Sequence, residues 1–198
     1  MQLPQIVQTG HPILRERAAE VTVEQINTPE FQELVDRMIA VMRQAPGVGL
    51  AAPQIGVSLR VIVLEDTEQA ATLLAPQERH ERERAPFSLR VFVNPILRPE
   101  GQESRLFFEG CLSITGYAAL VERHRQIEAS GLDRYGQPQT WLTHGWPARI
   151  LQHEVDHLDG VLYVDRMITR SFATSEHVRA HYAGRRTAEL KRIFKFDP

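Results

Sequence analysis

The chain has 198 residues, 42% of them hydrophobic and 24% charged, with a formal net charge of -2. Those values fit a globular chain long enough for one domain with a real core, and they give no global electrostatic case for a nucleic-acid or membrane partner. No apolar run approaches the roughly 18 residues of a membrane span, the first twenty residues lack the pattern of a secretory or transit signal, and the lone cysteine, Cys111, cannot form an internal disulfide; a cytoplasmic setting is expected.

In chain order, the first helix is "PEFQELVDRMIAVMRQA". Its apolar positions Phe31, Leu34, Val35, Met38, Ile39 and Met42 repeat with helical spacing and form one buried stripe. Thr28 suits the N-cap, Pro29 suits the first turn, and Pro46 and Gly47 should end the helix. "GVGLAAPQIG", Gly47 to Gly56, reads as a loop punctuated by glycine, and "LRVIVL" (Leu59 to Leu64) and "LRVFVN" (Leu89 to Asn94) read as strands. The charged stretch between those two strands reads as a long exposed insertion. Deleting Gln77 to Arg84 from it is expected to change stability little, because loop length enters only logarithmically.

Further short strands are expected near Arg105 to Phe108, Ala118 to Val121, Gln126 to Ser130 and Gln139 to Leu142, with "DRYGQP" turning between the last two. A second helix starts near Pro147, carries "ARILQHEVDHLDG" and stops at Gly160. The tail "EHVRAHYAGRRTAELKRIFKF" reads as a broken helix. The domain is taken as residues 1–170 and the basic tail as 171–198.

The second helix holds H-E-x-x-H. Residues four apart lie one above the other on a helix, so His153 and His157 can reach one metal ion, with Glu154 beside them as a base for a water. Two histidines leave the ion short of ligands. Tyr163 stands where a third histidine would follow in one pattern, and Glu176 is roughly placed for a glutamate from a following helix. Cys111 in "EGCLS" is a third candidate, since a thiolate is a stronger ligand for a borderline metal than a tyrosine.

"GVGLAAPQ" (Gly47 to Gln54), "EGCLS" (Glu109 to Ser113) and "QHEVDHLDG" (Gln152 to Gly160), in this order, resemble the three motifs of peptide deformylases, and the resemblance runs from about Gln5 to Met167. It looks closer to the branch that includes mitochondrial members, while the missing presequence argues for a cytosolic setting. The resemblance implies metal-dependent removal of the formyl group from the formyl-methionine of nascent polypeptides. It implies Cys111, His153 and His157 as ligands, Fe²⁺ as the ion with Zn²⁺ or Ni²⁺ able to replace it, and Glu154 as general base. Gln54 and the backbone N–H of Leu112 would donate to the oxyanion. Gly47 and Gly49 would leave room for the substrate backbone. Val48, Phe107, Trp146, Ile150 and the backbone from Gly110 to Leu112 would line a methionine pocket, with Arg149 held in a structural ion pair. Thr115 stands where members often have proline, and Ala118 where an arginine often helps to hold the peptide.

With the order of elements, these readings give an α+β fold: antiparallel sheets packed around a central metal-binding helix, with an N-terminal amphipathic helix. The partners expected are formyl-methionyl peptides and, through the basic tail, the ribosome; no membrane is expected.

Overall fold

The computed structural model describes residues 3–45, 47–72 and 74–194. A short helix α1 (Val23–Ile26) leads into α2 (Pro29–Gln44), whose N-cap is Thr28, with the hydroxyl accepting the Phe31 N–H. The buried stripe is the one its spacing predicts: Phe31, Val35, Met38, Ile39 and Met42 enter the core, joined by Val41. The helix stops at Gln44, and Pro46 lies outside the described residues.

β1 (Gly49–Ala51), β2 (Val61–Asp66), β3 (Phe87–Pro99), β6 (Gln126–Leu132) and β7 (Pro138–His144) form a five-stranded antiparallel sheet in the order β1-β2-β3-β6-β7. β4 (Ser104–Cys111), β5 (Ile114–His124) and β8 (Ala173–Thr174) form a second antiparallel sheet in that order. The helix α5 (Gly145–Leu158) packs against strands of both sheets. The fold is therefore α+β with two antiparallel sheets around one central helix. No helix among the described residues is long and apolar enough to cross a membrane.

Two expectations fail here. Gly47 to Gly56 is not all loop: Gly49–Ala51 pairs with β2 as an edge strand, and Ala52–Ile55 turns as a 3-10 helix. Nor is the charged segment a loosely held insertion. It forms α3 (Glu68–Ala71) and α4 (Pro76–Glu81) and is fastened to the body. Arg84 makes two hydrogen bonds, 2.7 and 2.8 Å, to the buried carboxylate of Asp66, and Glu83 accepts from Arg125. The Arg82 and Arg84 guanidiniums lie 5.6 and 5.0 Å from the ring centre of Trp146. The charges that suggested solvent exposure are partners for distant groups.

After α5 come α6 (Tyr163–Arg166), α7 (Ser175–His181) and α8 (Thr187–Ile193), so the tail is a broken helix as expected. Leu190 of α8 is buried with Leu106, Phe108, Ala118 and Leu120, and Phe194 packs against them, whereas Ile193 is exposed.

Candidate active site

α5 ends where its sequence requires. Asp159 caps it, and Gly160 follows at φ +72°, a left-handed conformation that glycine adopts without cost. A Cβ at Gly160 would also lie 2.6 Å from the Arg15 carbonyl oxygen. Upstream of this stop, Arg149, His153 and His157 follow at intervals of four and share one side of the helix.

β4 brings Cys111 to that side. The Cys111 sulfur lies 3.2 Å from His157 Nε2, and one ligand atom from each of Cys111, His153 and His157 falls within 4.8 Å of the others. Of the three candidates for a third ligand, the structure thus brings Cys111 to the histidine pair. Glu176 is exposed on α7 and does not join the group, and Tyr163 is buried with its ring stacked 6.3 Å from that of His153. A soft thiolate with two imidazoles suits a borderline divalent cation. Burial, then His153 and Arg123, holds the His157 pKa well below the usual imidazole range, which keeps it neutral and available as a ligand.

Glu109, two residues before the cysteine, is the anchor that motif reading missed. Its carboxylate accepts from Arg123 Nε and Nη2 at 3.0 Å each and from Arg149 Nη1 at 2.5 Å, and it lies 3.0 Å from His153 Nδ1. Burial opposes its charge, but Arg123 and Arg149 outweigh it and hold the carboxyl well below its usual range. The contact fixes the His153 ring and leaves Nε2 for a metal. Arg149 is the structural ion pair expected of it, with further bonds to the Val121 and Arg105 carbonyls. Arg123 also reaches Asp156, which pairs with Arg166. An acid in the apolar run "RLFFEG" was the available signal, because a charge there demands partners.

Glu154 sits next to the ligands and is 5% exposed. Burial pushes its pKa up to about 7, and Oε2 has no hydrogen-bond partner among the described residues. Such a carboxylate is suited to exchanging a proton with a bound water. It needs Gly49: a Cβ there would collide with the Glu154 carboxylate. Gln54 is oriented from the other side. Its Oε1 accepts the Ala51 N–H at 2.8 Å, so the amide presents Nε2 to the Ser113 hydroxyl (3.2 Å) and the Cys111 sulfur (3.5 Å).

A cavity of about 280 Å3 opens on this centre. Gly47, Val48, Gly49, Gly110, Trp146 and Ile150 line it as expected, together with Gln54, Leu112, Cys111, His153 and Glu154. Phe107 does not; its neighbour Phe108 does. Phe107 is buried with the guanidiniums of Arg82 and Arg149 each 5.2 Å from its ring centre.

Residues 3–172 match the family model described as Polypeptide deformylase. The chain is 49% identical over 176 residues to the chloroplastic peptide deformylase 1A of Solanum lycopersicum, covering 89% of this chain and 64% of that protein. It is 45% identical over 167 residues to the mitochondrial peptide deformylase of Homo sapiens, covering 84% and 69%. It thus spans about two thirds of the length of these curated relatives. Among solved structures, it is similar to a class I type b peptide deformylase from Acinetobacter baumannii with Met-Ala-Ser bound, at a TM-score of 0.74 and 34% identity over 84% of this chain and 99% of that one. A peptide deformylase from Synechococcus elongatus in complex with actinonin gives a TM-score of 0.70 and 36% identity over 84% and 82%.

Proposed function

The chain belongs to the polypeptide deformylase family, a family of metal-dependent hydrolases, and from that premise we propose that it removes the formyl group from the N-terminal formyl-methionine of nascent polypeptides, releasing formate. The observation that carries this reading is the Cys111, His153 and His157 group, with Cys111 and His153 sharing the wall of one cavity with the Glu154 carboxylate and the Gln54 amide. The Met-Ala-Ser complex of the Acinetobacter baumannii relative supports it, since that peptide has the form of a deformylated product.

Cys111, His153 and His157 would hold the ion, which when bound polarises the formyl carbonyl and acidifies a water. Glu154 takes the proton that the water loses on attacking the formyl carbon. It returns that proton to the peptide nitrogen as the C–N bond breaks, so formic acid and the free amine form, ionising to formate and an ammonium group, and the carboxylate is restored. Gln54 Nε2 and the Leu112 backbone N–H donate to the carbonyl oxygen as it gains charge, each worth roughly 2.7–4 kcal/mol in such a hole. Val48, Trp146 and Ile150 provide apolar wall for the methionine side chain.

Fe²⁺ is the ion we assign, with Zn²⁺ or Ni²⁺ able to replace it, because the family resemblance implies it; a donor set of one thiolate and two imidazoles accepts any of the three. We place the protein in the cytoplasm because a thiolate ligand needs a reducing compartment. We assign residues 1–170 to the hydrolase domain and 171–198 to a tail that docks on the ribosome. Arg179, Arg185, Arg186 and Arg192 are exposed and support docking; Lys195 of the same basic set lies outside the described residues. Arg186→Glu with Arg192→Glu should weaken ribosome co-sedimentation at low salt and spare turnover of a short peptide; unchanged, salt-insensitive association would end that assignment.

The decisive experiment on the activity is formate release from a formyl-methionyl peptide by the iron-loaded protein, prepared without oxygen. Turnover of that peptide, with no cleavage of an unformylated protein, is expected. Protein cleavage without formate release would overturn the proposal.

A further inference from the structure

The turn that joins β4 to β5 carries Cys111 and the Leu112 N–H, and its own backbone does little to hold it. Cys111 pairs with Ile114, so Leu112 and Ser113 alone form the loop. Two-residue hairpin loops favour turns with positive φ at a central residue, commonly glycine or asparagine. Neither Leu112 nor Ser113 has a positive φ. The next pair is Gly110 with Ala118, so Thr115, Gly116 and Tyr117 bulge out of the ladder with β4.

The turn is fastened instead by an N-terminal segment that belongs to neither sheet. Val7 N–H donates to the Gln54 carbonyl and Thr9 N–H to the Ser113 carbonyl, each at 2.8 Å. Between these two bonds the Gln8 side chain makes a bridge. Its Nε2 donates to the Leu112 carbonyl at 2.9 Å and to the Ile6 carbonyl at 3.3 Å, and its Oε1 accepts the Thr115 hydroxyl at 2.9 Å. Gln8 and Thr115 are exposed, so they add little burial and act through these hydrogen bonds.

The Leu112 carbonyl and the Ser113 N–H belong to one planar peptide unit. Gln8 holds the oxygen end of that unit, and at the other end the Ser113 N–H donates to the Cys111 sulfur at 3.4 Å. We propose that Gln8, anchored by Thr115, is a positioning residue. It fixes the plane of the Leu112–Ser113 peptide, and so keeps the Leu112 N–H aimed at the formyl oxygen and the Ser113 N–H on the thiolate. This proposal rests on the deformylase reading.

The test uses the full chain with Gln8→Met, which keeps the length of the side chain and removes both hydrogen bonds, and Thr115→Val, which removes only the hydroxyl. Turnover of formyl-Met-Ala-Ser by the iron-loaded protein should lose about tenfold in kcat for Gln8→Met, part of the 10²–10³-fold that a whole oxyanion donor is worth. Thr115→Val should lose less, and KM should stay within about twofold for both. The second readout is absorption of the cobalt-loaded protein. A weakened N–H bond to the sulfur should move the thiolate-to-metal band to longer wavelength, with cobalt stoichiometry and circular dichroism unchanged. Thr115→Ser keeps the hydroxyl and should match wild type in both readouts. A kcat within twofold of wild type in both Gln8→Met and Thr115→Val, a loss confined to KM, or an unmoved cobalt band overturns the proposal. Wild-type protein that turns over no formyl peptide would instead refute the deformylase reading, and the cobalt band alone would then decide whether Gln8 holds the turn.

Discussion

Replacing Glu109 with glutamine keeps the shape of the side chain and removes one negative charge from beneath the metal site. That charge faces two guanidiniums, Arg123 and Arg149, whose side chains are 4% and 5% exposed. After the substitution Arg123 keeps Asp156, but Arg149 keeps only the Val121 and Arg105 carbonyls. Breaking a buried pair in this way costs about 3–5 kcal/mol. With one guanidinium still paired, the lower end, about 3 kcal/mol, is expected. For a chain of this size each kcal/mol moves the midpoint by about 2–4 °C, so Tm should fall by about 6–12 °C. The loss should be largest near neutral pH. The wild-type carboxyl has a depressed pKa in the folded state, so its contribution is present above the usual carboxylate range. It is lost only as pH falls through that lower value, where the two proteins converge.

Glu109 also holds His153 Nδ1, and such a contact supports metal affinity by about 10–100-fold. The assay is therefore double: urea unfolding of the metal-free protein, and chelator competition for the loaded one. Arg149→Met is the control, since it breaks the same network without touching a ligand; stability should fall and metal affinity should change far less. A Glu109→Gln protein within 1 kcal/mol of wild type and with unaltered metal affinity would refute this account of the anchor.

Four other outcomes are expected. Glu154→Gln should retain the metal and lose activity by about 10²–10⁴-fold, checked by metal content and formate release; full turnover would remove it as general base. Gly49→Ala should lower kcat by about 10²-fold by displacing the Glu154 carboxylate, with the metal content of wild type. Arg84→Ala strands the buried Asp66 and should cost about 3–5 kcal/mol in urea unfolding, where a surface insertion would show almost nothing. The iron form should lose activity in air and keep it under anaerobic handling, because the thiolate and ferrous ion both oxidise; an oxygen-stable iron form would contradict the assigned ion.

What the sequence made legible was whatever repeats locally. α2 was readable because six apolar residues recur with helical period and Thr28 and Pro29 mark its start. α5 was readable because two histidines four apart have one strong use on a helix. The errors share a different cause. In "LFF" the strand alternation has no phase, because Phe107 and Phe108 are chemically identical. Only the β4–β5 register and the packing of α8 decide that Phe108 lines the metal cavity while Phe107 lies under two guanidiniums. β1 is three residues long, too short to show a period, and its glycine disguised it as loop.

The charged segment from Glu68 to Arg84 carries the broader lesson. Charge density implies solvent exposure only when the charges lack partners. Here the partners are remote: Arg84 meets Asp66 across 18 positions, and Glu83 meets Arg125 across 42. Neither pairing leaves a local trace. A trace of another kind existed, because Asp66 closes the apolar strand "VIVLED" and Glu109 interrupts "RLFFEG". A buried acid implies a cation somewhere, and the arginine-rich stretch was the nearest abundant supply. Matching Asp66 to one of those arginines places the insertion against the body, whereas Glu109 takes its partners, Arg123 and Arg149, from β5 and α5. Trp146, which Arg82 and Arg84 of the insertion cover, is then a wall fixed from behind.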